Sequence, residues 1–532
     1  MRLLARHRSF GAVLLMAIVL RALTMAGYAP LWFDDAFEYV GVARRMQPYA
    51  VRPSGYSIFL RSLEPLRAFA AVALVQHLMG LAIGVMVYLL ARRRAALLPR
   101  LGAALIAAPV LLDAYLIFFE HAILSDVLFA FLVMSAVTLL LWNGKPSIVQ
   151  VCAAGVLLAF AVLTRSIGLA LIPLVLGFLL LLRCRLRNLL AAATAVVLPL
   201  AGYAAWYQAH HGIPGLNGGS GVWLWARTMP FIHCERIRPP ADEAALCPAQ
   251  PRHLRPASPY FIWSDWSPLR GIPEYPITTR ADLFHPGIDR LAGRLARRAI
   301  LEQPLDYAAT VAFDLSRTFG WRRGPNPLST RITYNRYGFP NVRGPLPDDV
   351  RIAGATVRQD LEAYEGGPVA IGFTEPFASI MRAYQAFVYV PGAVFGGFAV
   401  LVTLLYGRAC LSRVRGKQVK QVKQVKRPAD VKALKAAALP LAVGVVLIAA
   451  PAAVTAYDSR YWLPAVPMFC VALALTRWSH ERPSAEAEGR SGAAEGRSGA
   501  AEGRSGAPPL GEPSEARRGE RGGGTLPGVA VE

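Results

Sequence analysis

The sequence predicts an all-α polytopic membrane protein, and three observations lead to that fold class. Hydrophobic residues make up 54% of the 532 residues, a share too high for a soluble chain of this length. They are gathered into blocks long enough to cross a bilayer, which takes about 20 residues of helix. Much of the net charge of +23 sits in short runs between those blocks, as in the cytoplasmic loops of membrane proteins. We therefore expect the lipid bilayer, and not nucleic acid, as the partner of these basic residues.

Ten apolar segments are predicted to span the membrane. The first follows a basic start and resembles a signal peptide, but it is long for one and no A-x-A cleavage site is evident. Basic runs after the second, fourth, sixth and eighth segments place both termini in the cytoplasm of a multi-pass protein of the cell membrane. The arginines of the first outside loop dilute this signal without reversing it. The spans are residues 10–28, 68–91, 100–119, 121–142, 148–164, 167–183, 188–207, 384–407, 437–455 and 460–477.

This order of spans predicts four regions along the chain. The first is a transmembrane module at 1–207 that contains the outside loop 29–67. The second is an outside segment at 208–383, large enough for a small folded domain but without a clear helix or strand period. The third comprises the last transmembrane helices at 384–477, with the basic cytoplasmic loop 408–436. The fourth is a disordered cytoplasmic tail at 478–532, where the heptad AEGRSGA occurs three times.

Two cysteines, Cys234 and Cys247, fall in the long outside segment. They are candidates for a disulfide, because that side of the membrane is oxidising. Two free thiols fit the sequence equally well.

The first outside loop begins with three carboxylates within five residues, Asp34, Asp35 and Glu38. Adjacent carboxylates repel each other, so one of them holds its proton more tightly, which suits a general base. The alternative is helix capping, because Asp35 and Glu38 have the spacing of a capping box. Capping leaves Asp34 unexplained, so we prefer Asp34 as the working residue.

Two arginines near this loop allow more than one interpretation. Arg52 precedes a Pro-Ser-Gly turn, and its planar guanidinium suits either a phosphate or lipid headgroups. Arg21 lies within the first span, where snorkelling to the interface is favoured over a role in a polar cavity.

The other short outside turns also mix acids with arginines, whereas the short cytoplasmic loops are almost purely basic. This contrast predicts a polar cavity open to the outside, because charge within the membrane is otherwise costly. No P-loop, GxSxG or HExxH motif is present, and the histidines do not cluster as metal ligands. The polar residues of these turns are Glu120, His121, Asp126, Arg165, Asp458, Arg460 and Tyr461.

Five short motifs in order resemble those of membrane glycosyltransferases with the GT-C fold. The related groups are the dolichyl-phosphate-mannose protein mannosyltransferases, the aminoarabinose transferases of lipid A and bacterial polyprenyl-phosphate-dependent relatives. The resemblance covers about residues 10–207 and 440–477, and it departs from the family pattern at Asp35, usually Glu, and at Ser166, usually Pro. The motifs are Asp34-Asp35-Ala36, Arg52-Pro53-Ser54-Gly55-Tyr56, Ser125-Asp126-Val127-Leu128-Phe129, Leu163-Thr164-Arg165 and Arg460-Tyr461-Trp462-Leu463-Pro464.

The resemblance implies a GT-C-like bundle and transfer of a sugar from a polyprenyl phosphate to an outside acceptor hydroxyl on a glycan, lipid or protein. It implies that Asp34, with Asp35 beside it, acts as base in an inverting displacement through an oxocarbenium-like transition state. Some members of the wider fold use a divalent cation, which Asp34, Asp35 and Glu120 would hold here; no cofactor is required by the sequence. Substrate or lipid-phosphate binding would fall to Arg52, Tyr56, Glu120, His121, Asp126, Arg165, Asp458, Arg460 and Tyr461.

Two other functions fit a polytopic chain. A transporter or flippase of lipid-linked sugars would explain the spans and the cavity, but it more often shows two similar halves, which are absent from this sequence. A membrane scaffold that works through 208–383 would leave the tandem aspartates without a role.

Overall fold

The computed structural model describes residues 7–95, 97–321, 337–342, 346–347, 351–352, 355–418 and 428–478. Nearly all the regular structure in these ranges is helical. Its first part consists of α1 (Arg8–Gly27), α2 (Asp34–Arg45), α3 (Gly55–Leu63), α4 (Phe69–Arg94), α5 (Arg100–Leu112), α6 (Ala114–His121), α7 (Asp126–Trp142), α8 (Ile148–Thr164), α9 (Leu171–Leu181) and α10 (Leu186–His211).

The second part begins with short helices outside the apolar spans and ends with three long apolar ones. A two-stranded antiparallel hairpin pairs Arg351 with Thr356. The elements are α11 (Ser220–Thr228), α12 (Cys234–Ile237), α13 (Ala241–Ala244), α14 (Ser258–Trp263), α15 (Pro286–Glu302), α16 (Pro304–Thr318), β1 (Arg351–Ile352), β2 (Ala355–Thr356), α17 (Val357–Glu365), α18 (Phe377–Phe387), α19 (Gly392–Gln418), α20 (Pro428–Val454) and α21 (Ala465–Trp478).

The predicted all-α polytopic class is confirmed. Within the described ranges, four helices, α1, α4, α10 and α20, are long and apolar enough to cross a membrane. Counting the bent pairs α5–α6 (47°) and α18–α19 (50°) as single spans raises the number to six. Shorter apolar helices, α7, α8, α9 with the 3-10 turn before it, and α21, occupy the positions of the remaining predicted spans.

Local sequence signals set several helix ends in this bundle. Ser147 caps α8 reciprocally, because its Oγ accepts from the Gln150 amide and the Gln150 side chain accepts from the Ser147 amide at 2.9 Å. Asp113 separates α5 from α6, and its carboxylate accepts from the amides of Tyr115 at 2.7 Å and Val390 at 2.9 Å. These bonds satisfy donors that a helix end would otherwise leave exposed.

The apolar helices of the bundle share one hydrophobic core, and a second core joins the first outside loop to the long segment. Helices α2 and α3 bury Val40, Tyr56 and Leu60 against residues of α11, α15 and α17. Arg45 of α2 donates to both carboxylate oxygens of Asp360 of α17, at 2.6 and 3.0 Å. The loop 29–67 and the segment 208–383 therefore share one core.

The long segment is more regular than the sequence analysis found. Helix α15 buries Ile288, Ala292, Leu295 and Ala299, which recur every three to four residues. That is the period of an amphipathic helix, so the signal was present in the sequence.

The two cysteines of the long segment, Cys234 and Cys247, form a disulfide that closes a sequence separation of 13 residues. The two side chains pack against the second core. The QVK repeat of the basic loop at residues 419–427 and the tail at 479–532 lie outside the described residues.

Candidate functional site

The centre of the site is Asp35, whose carboxylate lies between two guanidinium groups. Its Oδ1 is 3.0 Å from Arg52 NH1, and its Oδ2 accepts from Arg460 NH2 at 2.7 Å. Helix α2 begins at Asp34, so Asp35 stands in the first helical turn and not at the N-cap. The capping alternative for Asp35 is therefore wrong, and its role is to join residues that are 425 positions apart.

The electrostatics separate the two tandem acids. Burial raises the pKa of the Asp35 carboxyl, but Arg52 and Arg460 outweigh it and hold that pKa well below the usual range. A carboxylate with so low a pKa is a poor proton acceptor near neutral pH. Asp34, in the same turn, is exposed to solvent.

A third arginine reaches the site from the long segment. Glu38, only 2% exposed, lies 2.9 Å from Arg52 NH2 and 4.0 Å from Arg280 NH1. The Arg280 guanidinium also lies over the ring of Trp263, 5.8 Å from its centroid. Burial raises the pKa of Glu38 in spite of Arg52.

A second carboxylate–guanidinium pair, Asp126 with Arg165, borders the first through a shared tyrosine. Arg165 donates to the Oδ1 of Asp126, the first residue of α7. The Tyr461 ring has Arg165 at 5.2 Å from its centroid and Arg460 at 5.5 Å. The order Asp126, Arg165, Tyr461, Arg460 therefore connects this pair to Asp35.

The loop before α21 holds Arg460 in position. Asp458 Oδ1 accepts from the Arg460 amide at 3.0 Å, and its Oδ2 accepts from the Tyr337 hydroxyl at 3.0 Å. The Oδ2 lies 3.6 Å from Arg460 Nε, too far for a hydrogen bond. Asp458 therefore positions the Arg460 backbone, and it does not form a hydrogen bond with the Nε of the guanidinium.

Close packing at Gly55 brings the arginine turns together. A Cβ added at Gly55 would lie 2.5 Å from the carbonyl carbon and oxygen of Leu163, two residues before Arg165. A side chain at position 55 would push α3 away from the end of α8, and Arg52 away from Arg165 with it.

Tyr56 helps to hold α3 in place through its buried contacts. It is fully buried, and its hydroxyl donates to Gln76 Oε1 at 2.8 Å. Its ring packs edge-to-face against Tyr39, whose hydroxyl is 2.9 Å from Ser125 Oγ. Tyr56 thus acts through its neighbours, although the resemblance had suggested contact with substrate.

Glu120 and His121, predicted at an exposed turn, lie instead in a buried polar network. Arg21 donates to both Glu120 oxygens, at 2.6 and 2.7 Å, and is 3% exposed, so the snorkelling interpretation of Arg21 is wrong. His77 lies 2.9 Å from Glu120 and 3.1 Å from His121, which reaches the Tyr28 carbonyl at 3.0 Å. The network anchors the chain that leads to Asp34 and Asp35.

A small cleft lies beside Asp126 and Glu120. Its other lining residues are apolar and come from α4 to α7 and from the start of α21. Asp126 Oδ2 is buried without a hydrogen-bond partner, as is Arg460 Nε. Because buried polar atoms are nearly always bonded, two such atoms at one site indicate a place for a ligand.

The suggested cation ligands are not grouped. Among the described residues, no set of three or more His, Cys, Asp or Glu side chains is placed to hold a metal ion. Glu120 is engaged by Arg21 and His77, so it is not available to join Asp34 and Asp35.

Three members of the site were not predicted from the sequence. Glu38 was noted only as part of the acidic triplet, although its position one turn after Asp35 places both on one helix face. Arg280 and Tyr337 come from the long segment, and no local motif marks them.

No family model and no curated protein matches this chain. Several solved structures are similar to it over most of its length. The archaeal oligosaccharyltransferase AglB from Archaeoglobus fulgidus, in complex with an inhibitory peptide and a dolichol-phosphate, has 14% identity and a TM-score of 0.37. The match covers 93% of this chain and 52% of AglB, so the chain spans about half the length of that enzyme.

ArnT from Cupriavidus metallidurans is similar in its apo state, with 15% identity and a TM-score of 0.31. Its form bound to undecaprenyl phosphate has 13% identity and a TM-score of 0.29. Both matches cover 90% of this chain and 78% of ArnT. These are GT-C glycosyltransferases, the group that the five motifs resemble. At such TM-scores the likeness carries no argument about the site, which rests on this chain's own geometry.

Proposed function

We propose that this chain is an integral membrane glycosyltransferase that moves a sugar from a polyprenyl phosphate to an extracytoplasmic acceptor hydroxyl. The observation that carries the proposal is the convergence of Asp35, Arg52 and Arg460, with Arg165 beside them across Tyr461. Several guanidinium groups around Asp35, with the exposed Asp34 next to it in the chain, suit a reaction that releases an anionic phosphate and removes a hydroxyl proton.

The contacts in the site support the following roles for its acids and arginines. Asp34 accepts the proton of the acceptor hydroxyl as that oxygen forms a bond to the anomeric carbon. The bond from that carbon to the lipid phosphate breaks on the opposite face, and the phosphate leaves with the electron pair, which inverts the centre. Arg460, whose Nε has no hydrogen-bond partner, and Arg165 stabilise the charge on the leaving phosphate.

Asp35 and Glu38 hold the arginines, and Asp35, with its low pKa, takes no proton. The Asp35 carboxylate lies between Arg52 and Arg460, and the Glu38 carboxylate lies between Arg52 and Arg280. Arg has five donors, so each guanidinium retains groups for a phosphate while it keeps its carboxylate.

Transfer assays in proteoliposomes test the proposal. A panel of radiolabelled polyprenyl-phosphate sugars is supplied with glycan, lipid and protein acceptors, and wild type is compared with Asp34→Asn. We expect the variant to lose about 10²–10⁴-fold in transfer, the range for removal of a general base. The matched control is Asp265→Asn, an exposed acid outside the site, which should transfer at the wild-type rate.

Two outcomes of the transfer assay would contradict different parts of the proposal. Full transfer by Asp34→Asn would remove Asp34 from the mechanism while leaving the transferase. Movement of the labelled lipid across the bilayer, without transfer from any donor, would identify a transporter or flippase instead.

Orientation is part of the proposal. Reporter fusions after residues 207 and 480 should report the outside and the cytoplasm, respectively. A cytoplasmic signal after residue 207 would place the site on the wrong face for an extracytoplasmic acceptor.

A further inference from the structure

Helix α16, outside the predicted spans, presents an apolar stripe to its surroundings. Leu305 is 84% exposed and Phe313 50% exposed, far more than side chains of this size usually are in a folded segment. The stripe, taken from the last turn of α15 to the residues after α16, consists of Leu301, Leu305, Ala308, Ala309, Ala312, Phe313, Phe319 and Trp321.

The opposite face of α16 is polar and buried. Asp314, 6% exposed, accepts at Oδ2 from Arg227 NH1 at 2.6 Å and from the Tyr457 amide at 3.2 Å. Tyr457 begins the loop that carries Asp458 and Arg460. The charged residue Asp314 therefore points into the protein, and the apolar residues of α16 point to the exterior. A helix on a water-covered surface has the opposite arrangement.

Both ends of α16 are attached to the ends of spanning helices. The Tyr307 hydroxyl donates to the Ala453 carbonyl in the last turn of α20 at 3.0 Å. The Ala393 amide, in the first turn of α19, donates to the Gly320 carbonyl at 3.0 Å. The start of α19 and the end of α20 lie on one side of the membrane because these spans are consecutive. The two attachment points on the chain, Tyr307 and Gly320, are about 20 Å apart at 1.5 Å per residue, so α16 lies across that side of the bundle.

The stripe is continuous with the lipid-facing surface of the bundle. The Phe319 ring packs against Gly396 of α19, where a Cβ would collide with it. Further along α19, Val394, Leu401 and Leu404 are exposed apolar side chains of a spanning segment. The exposed apolar side chains of α19 and those of α16 therefore adjoin at Phe319.

We propose that the occupant of this surface is the lipid bilayer itself, and that α16 is an interfacial helix with its stripe in the headgroup–acyl boundary. Helices of this kind bury their apolar face about 5–10 Å into that boundary. Through Asp314 and the Tyr457 amide, α16 sets the loop of Arg460 at the depth of lipid phosphates. This inference concerns placement in the membrane, so it stands or falls independently of the transferase activity.

Site-directed fluorescence quenching tests it in the full chain reconstituted in liposomes. The cysteines outside the disulfide (152, 184, 410 and 470) are replaced by alanine, and an environment-sensitive probe is attached to Leu305→Cys or Ala312→Cys. The matched control is Arg290→Cys, an exposed position on α15. Quenching is measured with lipids spin-labelled high on the acyl chain and with iodide in the aqueous phase.

We expect the probes at positions 305 and 312 to be quenched severalfold more by the spin-labelled lipid than by iodide, and the probe at 290 to show the reverse. Iodide access at 305 and 312 equal to that at 290 would overturn the proposal, because the stripe would then face water. Protection from both quenchers would also overturn it, since another part of the chain or a second copy would then cover the stripe.

Discussion

Replacement of Asp35 by asparagine is expected to destabilise the protein by about 3 kcal/mol at pH 7. The substitution keeps the shape but removes a charge that lies 3.0 Å from Arg52 and 2.7 Å from Arg460. At an effective dielectric constant of about 20, each contact contributes roughly 6 kcal/mol of attraction. Desolvation offsets most of that gain. Removal of one partner from a buried pair typically costs about 3–5 kcal/mol. The three side chains remain 14–21% exposed, so we take the lower end.

The measurement is the free energy of unfolding in detergent, followed by tryptophan fluorescence, for wild type, Asp35→Asn and the control Asp265→Asn. The control should change stability by about 0.5 kcal/mol or less. A loss below about 1 kcal/mol for Asp35→Asn would refute the view that this carboxylate holds the two arginines in place.

The pH dependence of the same difference has a definite sign. The folded-state pKa of Asp35 lies below its unfolded value, so its contribution is complete above the ordinary carboxyl pKa of about 3.9 and is lost as the pH falls toward the folded value. The difference between wild type and Asp35→Asn should therefore be constant from pH 5 to 8 and shrink in stronger acid. A difference that grows as the pH falls from 8 to 5 would contradict this assignment.

Three further substitutions follow from other contacts. Gly55→Ala should lower stability by about 1–3 kcal/mol and reduce transfer, because its Cβ collides with the end of α8, whereas Gly177→Ala, with nothing within 4 Å, should leave transfer unchanged. Glu120→Gln should cost about 3–5 kcal/mol by leaving Arg21 buried without its carboxylate. In a double-mutant cycle with Arg21→Met, the effects should be non-additive, and additivity would show that the pair does not interact. Tyr461→Ala should raise the KM for the lipid donor more than it lowers kcat, because it removes the ring shared by two guanidinium groups. An unchanged KM would contradict that role.

Much of the site was predictable because its residues lie at the ends of apolar blocks. Asp34, Arg52, Arg165 and Arg460 stand out in the sequence, since the outside turns mix acids with arginines whereas the short cytoplasmic loops are almost purely basic. The polarity of the turns was thus visible, but the pairing of one turn with another was not.

The environments of Arg21 and Glu120 were predicted wrongly for the same reason. Arg21 was assigned to the interface and Glu120 to an open turn, yet each is the other's buried partner, 99 positions away. Solvation of a charged group depends on what surrounds it in three dimensions, and hydropathy along the chain does not contain that information. The same limit applied to Arg280, which reaches Glu38 from a segment with no motif.

The sequence by itself determined that this chain is helical and polytopic, because the length and apolarity of a block decide whether it can cross a bilayer. It also determined which polar residues lie at the block ends. Only the tertiary structure decided that Asp35 is bound by two arginines while Asp34 of the same turn is exposed to solvent. The physical reason is that ion pairing acts over a few ångströms in space, and the three residues of that cluster come from distant positions of the chain.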